Sequence, residues 1–209
     1  MSINLKKGQG INLSKNQFDL SSVTLGLGWD IAEPSTGFLS SFFAKAPEEY
    51  DLDAIAFLCA VDGKVKNFGD EMLVGGDVIF FNNLRHPSGQ IWLTGDNRNG
   101  AGEGDDEQII VQLNTLPPQY EKIVFVVAIY QGIQKGQHFG NVKNAFIRAV
   151  DARGVEMAHV DLSASRETQN MHSLVFAELQ RGANGWDFKA LVQPHQTDGF
   201  YQILRESYS

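Results

Sequence analysis

The sequence predicts an all-β fold: a two-sheet β-sandwich with long acidic metal-binding loops and a short C-terminal helix. Three observations lead there. Short runs rich in β-branched and aromatic residues are separated by turn formers about every ten residues, as in a sandwich. The most apolar run, residues 123–130, has the form of a central strand. A long hairpin connection, residues 95–107, is glycine-rich and acidic, and strand-like runs flank it on both sides. One domain over residues 1–209 accounts for the length, with an insertion at 31–50.

Taken in order, Ile3-Asn4-Leu5 and Ile11-Asn12-Leu13 alternate apolar and polar residues around Gly8 and Gly10, which predicts an opening hairpin. Residues 23–29 form the next strand, and Gly26 and Gly28 within it predict a bulge or a close backbone approach. In the insertion, Phe38, Leu39, Phe42 and Phe43 match a short helical face. Two readings stand for that face: a flap packed on its own domain, or a docking patch. Strand 54–61 follows, and the Asp62-Gly63 turn closes it. Residues 78–81 predict a continuous apolar strand buried on both faces, and His86 falls in the next turn as a solvated loop residue. After Pro117 and Pro118 come the central run and a glycine-punctuated mobile connection through Gly132, Gly136 and Gly140. Strands at 145–150, 155–162, 173–179 and 186–192 are joined at Arg153-Gly154 and Asn184-Gly185. Thr197 is placed to cap a final helix that presents Phe200, Ile203 and Leu204 on one face.

Charge and cysteine usage narrow the class. A net charge of −8 and a pI near 5.0 argue against nucleic acid, which needs a basic stripe. They also disfavour adhesion to anionic lipid. The one cysteine, Cys59, lies in the apolar run 54–61 and reads as a buried, inert thiol. With no disulfide possible within the chain, a reducing compartment is expected, and we read the protein as cytoplasmic. The first residues have no apolar signal-peptide core, and no run approaches the length of a membrane helix.

The stretch 95–107 carries the chemistry. It holds five carboxylates and four glycines, and its net charge is −4. Carboxylates this close repel one another, and a bound hard cation is the economical remedy. Calcium takes six to eight oxygens from carboxylates, carbonyls and water, and the glycines offer carbonyls at close range. The expected shell is Asp96, Asp105, Asp106 and Glu107 with a carbonyl from Gly100 or Gly102, and Asn97 adds its amide oxygen or braces the loop. Asp51 and Asp53 alternate at the entry to strand 54–61, and so share a face that could complete this shell or build a second. The stretch is not an EF-hand, since Arg98 and Gly100 fall on ligand positions of that loop.

These residues also carry a resemblance. Gly-Asp-Asn-x-x-Gly-x-Gly-x-Gly-Asp-Asp-Glu, running from Gly95 to Glu107, resembles the signature of the TerD family of tellurium-resistance and stress proteins. Gly26-Leu27-Gly28-Trp29-Asp30, Asp51-Leu52-Asp53-Ala54, Phe80-Phe81-Asn82-Asn83, Ile123-Val124-Phe125-Val126-Val127 and Asn144-Ala145-Phe146-Ile147-Arg148 match in the same order. The resemblance implies that Asp30, Asp51 and Asp53 lie at the same end as the acidic loop. It also implies a stress or tellurite-resistance role as a binding or scaffold module, with calcium ions and protein partners of a stress-response complex. Glu103 departs from the aspartate common in the family, and Val192-Gln193-Pro194-His195 departs from a glycine-rich stretch, so no function is carried over at that end.

The chain has no Gly-x-x-x-x-Gly-Lys-Ser/Thr, no Gly-x-Ser-x-Gly and no His-Glu-x-x-His, and its five histidines show no zinc spacing. No catalytic residue is assigned, and the expectation is a protein that is not an enzyme. The rivals are a metal-dependent, phosphoesterase-like hydrolase, which needs open coordination positions and a base, and a small-molecule or cyclic-nucleotide binder.

Overall fold

A computed structural model describes residues 3–31, 50–94, 104–162 and 166–209. In chain order the strands are β1 (Ile3–Asn4), β2 (Gly10–Ser14), β3 (Val23–Ile31), β4 (Leu52–Cys59), β5 (Val78–Ile79), β6 (Ile91–Thr94), β7 (Glu107–Val111), β8 (Lys122–Ile129), β9 (Val142–Val150), β10 (Glu156–Asp161), β11 (Ser173–Gly182) and β12 (Gly185–His195). They form two six-stranded sheets. The first has the order β1-β10-β9-β3-β7-β6 and the second β2-β12-β11-β8-β4-β5. Short helices α1 (Gly132–Lys135) and α2 (Phe200–Ile203) complete the described structure, and α2 runs on into a π-helical turn, Leu204–Tyr208.

The two sheets differ in how their strands are written. On the first sheet β7 alternates buried and half-buried residues, as does β6, because the outer face meets solvent. On the second sheet every residue of β4 is buried, and so is every residue of β8 after Lys122. Its inner face packs into the core between the sheets, where Leu25, Leu27, Ile109 and Ile147 meet Ala54, Leu58, Phe125 and Leu174. Its outer face carries a second apolar cluster: Ile55, Phe57, Val124 and Val126 lie under Phe200, Ile203 and Leu204. The Phe200 ring stands 5.1 Å from Phe80 and 6.3 Å from Phe57. Burying side chains of this size contributes about 1.5–3 kcal/mol each, which holds a terminal helix too short to persist alone.

Several expectations need correction. The N-terminal triplets do not pair with each other. β1 runs parallel to β10 in the first sheet and β2 antiparallel to β12 in the second, so the segment spans both sheets. The apolar run 78–81 gives only a two-residue edge strand, and Phe80 turns away in a bridge to Asn83. Both of its residues are buried, Ile79 in the core between the sheets and Val78 in the outer cluster, so the expected burial on both faces holds at a sheet edge. The connection after β8 is structured: Gln131 in the left-handed region opens α1, Gly136 closes it, and a 3-10 turn follows at Phe139–Asn141. Gly199, not Thr197, precedes the terminal helix as its cap, and the Thr197 hydroxyl, two residues earlier, accepts the Gly199 N–H at 3.0 Å. Phe200, Ile203 and Leu204 are buried together as expected. Phe38, Leu39, Phe42 and Phe43, read as a flap or a docking patch, lie outside the described residues.

Candidate functional site at the acidic end of the sandwich

Strand register decides which acids meet. β3 and β7 are antiparallel with Leu27 opposite Glu107, and β4 begins at Leu52 beside the end of β8 at Ile129. The end of β3, the start of β4 and the start of β7 therefore share one end of the sandwich. Asp30, Asp51, Asp53, Asp105, Asp106 and Glu107 all sit there. Asp96, Asn97, Gly100 and Gly102 lie outside the described residues. Backbone and side-chain bonds tie this end together: Trp29 donates from Nε1 to the Tyr50 carbonyl at 3.1 Å, and Tyr130 N–H donates to the Asp51 carbonyl at 2.8 Å.

The three consecutive acids at the loop exit have three different fates. Glu107 begins β7 facing inward, 2% exposed, and its carboxylate accepts the Ala54 N–H of the opposite sheet at 2.6 Å. Asp106 accepts the Trp29 N–H at 2.9 Å, while its own N–H donates to the Leu27 carbonyl at 2.8 Å. Asp105 turns to the outer face of the first sheet. There Gln108, Gly26 and Arg148 lie side by side on β7, β3 and β9, and the Asp105 carboxylate rests over Gly26, where a Cβ would overlap it. Arg148 donates from Nε to Oδ1 at 2.7 Å and from Nη2 to Oδ2 at 3.2 Å, and Gln108 Nε2 donates to Oδ2 at 3.2 Å. One step along β3, the Gly104 carbonyl and the Phe146 ring fill the space over Gly28. The close approach expected at these glycines is thus made by the end of the acidic loop.

Electrostatics separate the same residues. Burial pushes the Asp106 carboxyl above its ordinary range; the bond from Trp29 opposes this, and the negative charges of Asp30 and Asp105 add to the rise. Asp105 draws the Arg148 guanidinium to a raised pKa, burial opposes, and Glu156 at 3.5 Å assists. Asp30 accepts from Asn144 Nδ2 at 2.7 Å, and Asp53 is 8% exposed on β4. Among the described residues, no group of three or more His, Cys, Asp or Glu is placed to hold a metal.

A second polar cluster was not legible. His86, expected in solvent, is 5% exposed. Its Nδ1 accepts the Ser88 N–H at 3.0 Å and lies 2.7 Å from the Ser88 hydroxyl, which leaves Nε2 to donate to Asp77 Oδ1 at 3.1 Å. Tyr120 donates to the same oxygen at 2.8 Å, from more than forty residues away in sequence. Burial raises the Asp77 carboxyl, but bonds from His86, Tyr120 and the Asn67 N–H outweigh it and leave it low. Ser88, His86 and Asp77 have the members of a hydrolytic triad. However, the ring nitrogen facing Ser88 already accepts that residue's own N–H, so the lone pair a general base needs is engaged. The cluster braces the turn. Cys59 is fully buried, and burial drives its thiol up to about 12, as an inert core residue requires.

With this geometry in place, comparison with known proteins adds context. A family model described as the TerD domain matches residues 1–206. The chain is 60% identical to tellurium resistance protein TerX of Serratia marcescens, over 98% of this chain and 99% of that one. It is 40% identical to tellurium resistance protein TerD of an Alcaligenes species, covering 91% and 90% of the two chains. It is also 38% identical to stress response protein SCP2 of Bacillus subtilis, covering 91% and 92%. Among solved structures, a homologue of telluride resistance protein from Streptomyces coelicolor A3(2) superposes with a TM-score of 0.63 at 22% identity, over 87% of this chain and 94% of that one. That last likeness speaks to the fold alone.

Proposed function

The chain belongs to the TerD family of tellurium-resistance and stress-response proteins, and on that premise we propose that it is a calcium-binding cytoplasmic module that works by binding and scaffolding, not by turning over a substrate. The observation that carries the reading is the convergence of acids that register imposes: Asp30, Asp51, Asp53, Asp105 and Asp106 share one end of the sandwich. Burial, and then the charges of Asp30 and Asp105, raise the Asp106 carboxyl. A carboxylate crowded in this way gains from a cation, and oxygen donors with no thiolate or imidazole among them suit calcium.

Asp30 and Asp106 would hold the ion, with Asp51 and Asp53 supplying further oxygens from the start of β4. Asp96, Asn97, Gly100 and Gly102 are the expected ligands from the loop itself. The bound ion would supply the positive charge that offsets the repulsion among these groups. Asn144, which donates to Asp30, and Trp29, whose N–H donates to Asp106, orient the two carboxylates from β9 and β3. Glu107 is engaged with Ala54 between the sheets and contributes to the scaffold. Partners of a stress-response complex would meet a surface ordered by the ion. No helix among the described residues is long and apolar enough to cross a membrane, and the lone cysteine accords with a reducing compartment.

The test is thermal melting in chelator, calcium or magnesium. At free calcium 100-fold above the dissociation constant, one site adds about 2.7 kcal/mol, a rise on the order of 5–10 °C for this length. Magnesium, which demands a tight octahedron and gives up water reluctantly, should do much less. Equal melting temperatures in chelator and in calcium would end the calcium reading.

A further inference from the structure

We propose that Arg148 holds Asp105 out of the cation shell, so that two adjacent aspartates of the loop exit do different work: Asp106 binds, and Asp105 anchors. The proposal rests on the calcium reading above and refines it. It starts from the row Gln108, Gly26, Arg148 across three neighbouring strands. The missing side chain at Gly26 leaves a seat in the outer face of the sheet, and the Asp105 carboxylate fills it. Once seated, that carboxylate is 2% exposed. Both of its oxygens are taken up by the forked guanidinium of Arg148, and Oδ2 receives Gln108 as well. A planar fork matched to a carboxylate is the strongest form of such a pair. A metal would have to break it and leave the Arg148 charge with Glu156 alone, at 3.5 Å, which opposes binding a second cation nearby.

Asp106, one residue on, is held differently: its carboxylate accepts the Trp29 N–H of β3 at 2.9 Å. Arg148 is therefore a positioning residue. It fixes the loop exit to β9 in the metal-free chain, and it keeps the number of carboxylates facing the ion down. Since calcium affinity follows the charge count of the ligands, Arg148 also sets that affinity lower than the bare loop composition implies.

The experiment is calorimetric titration of calcium into the metal-free chain, with melting of each variant as a control for folding. Replacing the pair together, Asp105→Asn with Arg148→Gln, leaves the net charge unchanged and should hold calcium affinity within about threefold of wild type. Arg148→Gln alone releases Asp105 and removes a positive charge, so it should bind calcium tighter, by about tenfold. A double variant weakened by more than about threefold, or an Arg148→Gln chain that binds no tighter than wild type, overturns the proposal. If the variants fail to fold, the wild type still decides. The Arg148 Nε–H resonance should stay protected from exchange when calcium saturates the chain, and its loss on adding calcium would mean that Asp105 had left for the metal. A wild type that takes up no calcium defeats the function reading itself, whereas a wild type that binds while the paired variant does not defeats this refinement alone.

Discussion

Two carboxylates at opposite ends of the sandwich are shifted in opposite directions. Asp151 follows β9 at the end away from the acidic loop, and its side chain is fully buried. It accepts the N–H groups of Asp19, Arg153 and Val155 at 2.9–3.0 Å, and the Arg153 guanidinium at 2.8 Å and 3.1 Å. Burial works to raise its carboxyl, but these donors outweigh it and bring it to about 2. Asp106 is also drawn inward, yet its pKa moves the other way. The first is a carboxylate whose charge the protein itself satisfies. The second keeps its bond from the Trp29 N–H, but burial and the charges of Asp30 and Asp105 outweigh it.

The sharpest way to break the comparison is at the satisfied end. Asp151→Ala should cost about 3 kcal/mol, because it strands a set of converging donors, and melting should fall by on the order of 10 °C. The calcium response should survive unchanged. At the other end, Asp106→Asn should raise the melting temperature of the metal-free chain by about 2 °C, since it removes a charge that its surroundings oppose. It should also remove most of the rise that calcium produces. If Asp106→Asn instead destabilises the chelated protein and leaves the calcium rise intact, the two carboxylates are alike and the contrast fails.

Acid gives the smallest effect and a check of sign. The folded-state pKa of Asp151 is depressed, so its contribution is present above the unfolded value of about 4 and fades as pH falls toward about 2. The folded-state pKa of Asp106 is raised, so its charged form weakens the fold as pH rises through that value, and acid relieves it. Denaturant unfolding without metal at about pH 6 and about pH 3 should show wild type losing more stability on acidification than Asp151→Asn, and less than Asp106→Asn. The reverse order would contradict both assignments.

Much of the fold was legible because it is written locally. The β-branched and aromatic runs of β6 and β7, the unbroken apolar run of β8 and the turn residues at Arg153-Gly154 and Asn184-Gly185 each report on their own surroundings. What failed depended on distant chain. The opening triplets look like a hairpin but pair with strands more than 150 residues away. The run at 78–81 is buried on both faces as read, but the bridge from Phe80 to Asn83 that cuts the strand short was out of sight in that window. His86 looked solvated because its partner Tyr120 comes from a distant turn. At the acidic end, register brought the expected acids of β3, β4 and β7 to one place, but sequence treats Asp105 and Asp106 as equals. They part only because Arg148 stands 43 residues later on a neighbouring strand. The signal was present in Gly26, a glycine in mid-strand with no turn to make.

That glycine has a consequence of its own. The groove over Gly26 and Gly28 is negative space, a surface feature made by atoms that are absent. A pocket lined by side chains can be reshaped in many directions, but a groove of this kind can only be filled. Gly26→Ala, conservative in size and acceptable to a strand, would put a methyl group where the Asp105 carboxylate lies and so unseat the end of a loop that begins and ends on other strands. The smallest residue in β3 thus acts as a template for its neighbours, and its influence reaches further along the chain than that of the large core side chains beside it.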